Sequence, residues 1–64
     1  MSLKGLLVAE GQGVSLEGYS VSEDIFILLR PYYGLDVPRG KGTFYPSTSE
    51  ASLLMKKDYG CKVV

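Results

Sequence analysis

The chain has 64 residues, with seven basic and seven acidic side chains, no histidine and one cysteine. This composition excludes a disulfide within the chain. It also argues against a zinc site built from cysteine and histidine, and it provides no imidazole for acid–base catalysis. Zero net charge also argues against nonspecific DNA binding, which normally comes with a basic excess. The length predicts a single small domain over residues 1–64.

The location of the protein is predicted from its apolar runs and its cysteine. Lys4 is followed by only four apolar residues, Leu6 to Ala9, before Glu10, so no secretory signal peptide is evident. The longest apolar run has five residues, whereas a membrane-spanning helix needs about 20. A lone cysteine suits a reducing compartment. We therefore expect a cytoplasmic protein with no membrane partner.

Charge is unevenly divided along the chain. Residues 1–24 contain one basic and four acidic residues, whereas residues 25–64 contain six basic and three acidic residues. The simpler interpretation is that the two parts attract each other within one fold. The alternative is that the second part presents a basic face to a partner.

The first third of the chain is predicted to form a β-hairpin. Leu3–Ala9 is the first strand, and Gly11-Gln12-Gly13 is the turn, because glycine adopts positive φ without steric cost. Val14–Tyr19 alternates apolar and polar residues and is the second strand. Gly18 predicts a bulge or a bend within it.

The run from Ile25 to Leu29 is the only stretch of five consecutive apolar residues. A short apolar run of this kind fits either a strand covered on both faces or a buried piece of helix. Isoleucine and phenylalanine favour a strand. Pro31 disfavours a helix at Arg30. We therefore predict a strand here.

A helix is the alternative for the same segment. Ser20-Val21-Ser22-Glu23 has the form of an N-terminal capping box. A weak similarity also links Ser20-x-Ser22-Glu23 and Gly34 to Ser47-x-Ser49-Glu50 and Gly60, which would favour a helix over residues 22–33. Such a helix would present one apolar stripe, made of Val21, Ile25, Leu28, Leu29 and Tyr32.

The last part of the chain contains the clearest local signals. Residues 34–42 are rich in glycine and form a loop, and Thr43–Tyr45 is a short strand. A capping box of Ser47 and Glu50 opens a helix over residues 48–59, and Gly60 ends it. Residues 61–64 return as a last short strand. The predicted fold class is therefore α+β, a small antiparallel sheet of four to five short strands with this helix packed on one face.

The sequence offers no catalytic, metal-binding or cofactor-binding constellation. Cys61 is the only thiol, and its neighbour Lys62 could lower its pKa, but a small apolar role at the end of the helix is the better interpretation. Gly40-Lys41-Gly42 lacks the spacing of a phosphate-binding loop. We therefore expect a non-enzymatic protein without a cofactor.

Self-association is predicted from the size of the chain. A domain near this length buries only about 60% of the surface of its unfolded chain and often needs an additional source of stability, which here leaves oligomerisation. We expect an interaction or assembly module that acts as a homo-oligomer, with another protein as the next candidate partner. Such a chain would suit an accessory protein of a virus or mobile element. The predicted contact surface consists of Ile25, Ile27, Leu29, Tyr32 and Tyr33.

Binding of single-stranded nucleic acid is the alternative function. The segment 30–45 interleaves cations with aromatic residues around a glycine-rich loop, and such surfaces pair with phosphates and stack on bases. A third interpretation is that the tyrosines only close the edge of a small core. The candidate nucleic-acid-binding residues are Arg30, Arg39, Lys41, Phe44 and Tyr45.

Overall fold

A computed structural model describes residues 2–20 and 22–64. The predicted α+β class is confirmed, with a four-stranded sheet and with a second helix in the segment for which a helix is the alternative prediction. In chain order the elements are β1 (Ser2–Ala9), β2 (Gln12–Ser20), α1 (Ile25–Tyr33), β3 (Thr43–Pro46), α2 (Ser49–Lys57) and β4 (Lys62–Val63).

The hairpin of β1 and β2 turns one residue earlier than predicted. Ala9 pairs with Gln12, so the connection is the two-residue turn Glu10-Gly11. Both residues have positive φ, 52° and 75°, which is the geometry that matches the twist of the flanking strands. Gly13 consequently belongs to β2 rather than to the turn.

Of the two alternatives predicted at Gly18, a bulge or a bend, the structure has a bulge. Leu3 pairs with Tyr19 whereas Lys4 pairs with Glu17, which leaves Gly18 as the extra residue on β2. Its φ of 82° is accessible to glycine at no steric cost. The bulge bends the end of β2 away from the straight part of the strand.

The sheet is mixed rather than wholly antiparallel. Its strand order is β2-β1-β3-β4, in which β1 pairs antiparallel with both β2 and β3, and β3 pairs parallel with β4. The parallel pair follows from α2, because the chain crosses back over the sheet through this helix before β4 begins. The crossover also places α2 over β1, β3 and β4.

The run from Ile25 to Leu29 is helical, so the predicted strand is wrong and the alternative is right. The helix begins at Asp24, whose carboxylate accepts a hydrogen bond of 3.1 Å from the amide of Phe26, and not at the predicted box. It ends at Gly34, where φ is 68° and the amide donates to the carbonyl of Arg30. These two caps, together with burial of one face, outweigh the cost of Pro31 inside the helix. Val21 lies outside the described residues.

The second helix matches the prediction, but its N-cap is shifted. The hydroxyl of Thr48 accepts from the amide of Ala51 at 3.1 Å, so the predicted box of Ser47 and Glu50 is wrong by one residue. Ser47 instead donates its amide to the carbonyl of Lys4, which extends the pairing of β1 with β3. Gly60, with φ of 66°, reverses the chain after the helix as predicted.

Both helices pack on the same face of the sheet and enclose one core. The chain exposes 3968 Å², whereas a compact monomer of 7.0 kDa exposes about 4,000 Å². The subunit therefore covers its own core as well as a typical monomer of its size does. The buried core residues are Leu3, Leu7, Ala9, Val14, Leu16, Ile25, Phe26, Leu29, Leu35, Val37, Phe44, Ala51, Leu54, Met55, Tyr59 and Cys61.

The unequal charge of the two parts of the chain is partly explained by one contact. Asp24 from the acidic part pairs with Arg39 from the basic part at 3.0 Å. This ion pair agrees with the interpretation that the two parts attract each other within the fold. Within the described residues, neither α1 nor α2 is long and apolar enough to cross a membrane.

Candidate interaction surface

Two large apolar side chains of α1 are strongly exposed. Ile27 is 69% exposed and Tyr32 is 73% exposed, whereas Ile25 and Leu29 are each 1% exposed. Residues four apart share one side of a helix, so Ile25 and Leu29 point into the core together and Ile27 points away. The prediction that Ile25 and Leu29 belong to a contact surface is therefore corrected. Ile27, Tyr32 and Tyr33 remain available for contact.

The exposed side of α1 carries little charge. Arg30 is the only charged residue between Ile25 and Tyr33. Its guanidinium group lies 3.2 Å from the carboxylate of Asp36, and both side chains are exposed. The helix is thus apolar on its inner side and mostly apolar on its outer side, a pattern typical of a buried helix rather than a surface helix.

Three tyrosines gather where α1 lies beside β2. The phenol of Tyr33 lies close enough to the phenol of Tyr19 to raise the pKa of Tyr19. Tyr32 also contributes to that electrostatic environment. Tyr33 therefore brings the end of α1 near β2, and Tyr19 packs partly against the core. The phenol groups give this apolar surface a polar margin.

Arg39 joins α1 to the segment after α2. One nitrogen of its guanidinium group binds the Asp24 carboxylate at 3.0 Å, and another donates to the carbonyl of Asp58 at 2.8 Å. The guanidinium carbon also lies 4.9 Å from the centre of the Tyr59 ring. The adjacent cavity of about 190 Å³ is lined by Ser22, Glu23, Asp24, Arg39, Asp58 and Tyr59.

These contacts make the Arg39 cluster a structural clamp. The Tyr59 hydroxyl donates to the carbonyl of Glu23 at 2.8 Å, and its ring contacts Phe26 edge-to-face. Burial raises the pKa of Tyr59, which keeps its phenol protonated and suited to donating this bond. Because the guanidinium group of Arg39 already contacts Asp24, Asp58 and Tyr59, the cluster holds the start of α1 against the end of α2.

The candidate nucleic-acid-binding residues do not form one surface. Phe44 is 0% exposed and lies in the core, whereas Tyr45 is exposed on the opposite face of the sheet. Side chains alternate along a strand, so adjacent aromatic residues on β3 cannot form a shared stacking platform. Arg30 and Arg39 are held by carboxylates, and Lys41 is exposed in the loop. No contact among these five residues favours the nucleic-acid interpretation.

Cys61 is buried, and burial raises the pKa of its thiol. The Sγ atom lies 3.7 Å from the carbonyl oxygen of Lys41. A raised pKa lowers the thiolate fraction at neutral pH, which disfavours a nucleophilic role. Within residues 2–20 and 22–64, no group of three His, Cys, Asp or Glu side chains could hold a metal ion.

An open groove of about 390 Å³ lies between the hairpin turn and the loop over residues 34–42. Val37 and Pro38 form part of its apolar wall, and Glu10 and Lys41 are among its lining residues. Val37 and its neighbour Leu35 are buried although they lie in a loop. The loop is therefore anchored to the core by apolar residues that carry no periodic signal in the sequence.

Comparison with protein-family models, with curated proteins and with solved structures found no match. The exposed side of α1 is therefore the main guide to function.

Proposed function

We propose that this protein is a small non-enzymatic interaction module that self-associates through the α1 patch, defined as Ile27, Tyr32 and Tyr33. The observation that carries the proposal is the exposure of Ile27 and Tyr32 on a helix that is apolar on both sides. Exposed apolar surface is a general mark of a protein-binding site. Tyrosine is also enriched where proteins meet.

A second copy of this chain is the partner that the charge pattern favours. In a twofold contact the same surface faces itself, so any net charge on that surface would repel its own copy. The ion pair of Arg30 with Asp36 neutralises the only charged side chain of α1. The whole chain has no net charge either, and proteins near neutrality associate readily.

The non-enzymatic part of the proposal is supported by the state of the reactive groups. The only thiol is buried with a raised pKa, and the Arg39 guanidinium group is occupied by Asp24, Tyr59 and the Asp58 carbonyl. A positioned group with a pKa suited to neutral pH is what acid–base or nucleophilic catalysis requires.

The proposal is tested by measuring the mass of the protein in solution by light scattering over a tenfold dilution from high micromolar concentration. We expect a mass near twice 7.0 kDa that falls on dilution. The double substitution Ile27→Ser with Tyr32→Ser should give a folded monomer. The matched control is Leu53→Ser, because Leu53 is 60% exposed on α2 and lies outside the α1 patch.

A mass of 7.0 kDa at every concentration would overturn the proposal. It would also fail if Leu53→Ser dissociated the oligomer as fully as the double substitution does. Circular dichroism of each variant establishes that loss of mass is not loss of fold.

A further inference from the structure

In the described part of the chain, the outer edge of β2 has no neighbouring strand. β2 is the first strand in the sheet order and pairs only with β1. The two-residue turn makes Ala9 and Gln12 a hydrogen-bonded pair. Starting from Gln12, every second residue of β2 therefore points its amide and carbonyl groups towards β1. The groups of the intervening residues point away from the sheet. In the straight part of the strand these residues are Gly13, Ser15 and Glu17.

The two edges of the sheet differ in how they are protected from pairing. β4 has only two residues and carries Lys62, and short strands with lysine pair poorly with other chains. β2 has nine residues and contains neither proline nor lysine. Its one charged residue is Glu17, and the bulge at Gly18 limits the straight edge to residues 12–17. β2 is thus the edge that is suited to pairing.

We propose that β2 pairs antiparallel with β2 of a second copy around a twofold axis at Ser15. This inference rests on the self-association proposed above and names the strand that carries it. The two four-stranded sheets would join into one continuous sheet. Three outward residues from each copy would form about six backbone hydrogen bonds, two for each facing pair.

The register follows from the side chains on this edge. With Ser15 opposite Ser15 of the second copy, each Glu17 lies opposite a Gly13. No like charges then face each other, and the two serine hydroxyls can hydrogen-bond across the axis. A register centred on Glu17 would set two carboxylates against each other and would include the bulge at Gly18.

The end of β2 lies near the end of α1. Tyr19 lies on β2, and Tyr33 of α1 is close enough to it to raise the pKa of Tyr19. A stable interface buries about 800 Å² on each partner, which is about one fifth of the 3968 Å² that this chain exposes. Three side chains on a nine-residue helix are too few to supply that area. The backbone groups of the β2 edge would supply further interface area beside the α1 patch.

The test compares Ser15→Pro with Ser15→Ala. Proline removes the outward amide of residue 15 and leaves the bonds between β1 and β2 in place, whereas alanine keeps the amide. We expect Ser15→Pro to raise the dimer dissociation constant about 10- to 100-fold above that of Ser15→Ala, because two facing hydrogen bonds are lost. Sedimentation equilibrium gives both constants, and circular dichroism confirms the fold.

A cysteine cross-link provides a second measurement that does not depend on proline. Facing residues of a hydrogen-bonded pair have Cα atoms about 5.5 Å apart, a distance that a disulfide can span. Oxidised Ser15→Cys should therefore form a covalent dimer. The control Glu10→Cys, at the hairpin turn and with the same buried Cys61, should not.

The outcomes separate the two proposals. A dimer that survives Ser15→Pro and does not cross-link through Ser15→Cys, but dissociates on Ile27→Ser with Tyr32→Ser, overturns the β2 edge and leaves self-association intact. A wild-type chain that is monomeric throughout overturns both. If Ser15→Pro does not fold, the cross-link alone decides whether the edge is used.

Discussion

The two helices of this protein have the same length and similar ends but different outer faces. Each spans nine residues, begins at a polar side chain that caps its amides and is followed by a glycine in the left-handed conformation. The outer side of α2 carries Glu50, Lys56 and Lys57 around the exposed Leu53. The outer side of α1 carries mainly apolar and aromatic residues. The comparison teaches that α2 has the charged outer side of an ordinary surface helix, whereas the outer side of α1 exposes apolar side chains to water.

The inner sides of the two helices should be equally important for stability. Leu29 in α1 and Met55 in α2 are both fully enclosed by the core. We expect Leu29→Ala and Met55→Ala each to lower the free energy of unfolding by about 2–5 kcal/mol, because each leaves a cavity. Urea denaturation measures both. A loss below about 1 kcal/mol for Leu29→Ala alone would show that α1 is only loosely attached to the core.

The caps should have smaller and similar effects. Asp24→Ala removes the acceptor for the Phe26 amide, and Thr48→Ala removes the acceptor for the Ala51 amide. Each should cost about 1 kcal/mol. The Asp24 variant should cost more than the Thr48 variant, because Asp24 also pairs with Arg39. Asp24→Asn, which keeps a capping oxygen and loses the charge, separates the two contributions, and thermal unfolding gives the ranking.

Loss of the Tyr59 phenol proton should have the smallest effect on stability, and this effect should be visible only at alkaline pH. Burial raises the pKa of Tyr59, so the folded state holds the phenol proton more tightly than the unfolded chain does. Its contribution to stability is complete below the ordinary tyrosine pKa of about 10 and is lost as the pH rises through the higher folded value. Stability measured from pH 8 to pH 11 should therefore fall at the alkaline end.

The matched variant for the pH experiment is Tyr59→Phe, which keeps the ring against Phe26 but has no proton to lose. Its stability should depend less steeply on pH over the same range, although it starts lower because the bond to Glu23 is gone. Equal slopes for the two proteins would assign the alkaline loss to the other groups whose pKa is raised, Cys61 and Tyr19.

The comparison of the helices also shows which parts of the fold the sequence can predict. α2 and the hairpin were predictable because alternation, capping residues and glycines are local signals. The segment of α1 favours a strand in the sequence because a run of five apolar residues fits the repeat of a strand as well as the repeat of a helix. Asp24 before the run and Gly34 after it are a local signal for a helix, and weighing them above Pro31 would have favoured the correct alternative.

The surface was harder to predict than the fold, because it depends on contacts between distant parts of the chain. The exposure of Ile27 but not Ile25 follows only once the segment is known to be helical. The meeting of Tyr19 with Tyr33 requires α1 to lie beside β2. Tyr59 reaches Glu23 across 36 residues of sequence, a contact that no short-range pattern contains.

The position of β1 inside the sheet has a consequence for synthesis on the ribosome. β1 can pair with β2 as soon as the hairpin emerges, but its second neighbour, β3, begins only at Thr43. Until then the backbone groups of Leu6 and Val8 that point away from β2 have no partner strand. The hairpin then has two long unpaired edges, whereas the finished sheet has the long edge of β2 and the two-residue edge of β4. A ribosome that pauses between the codons for residues 20 and 43 would prolong this state, in which the hairpin is most prone to pair with another chain.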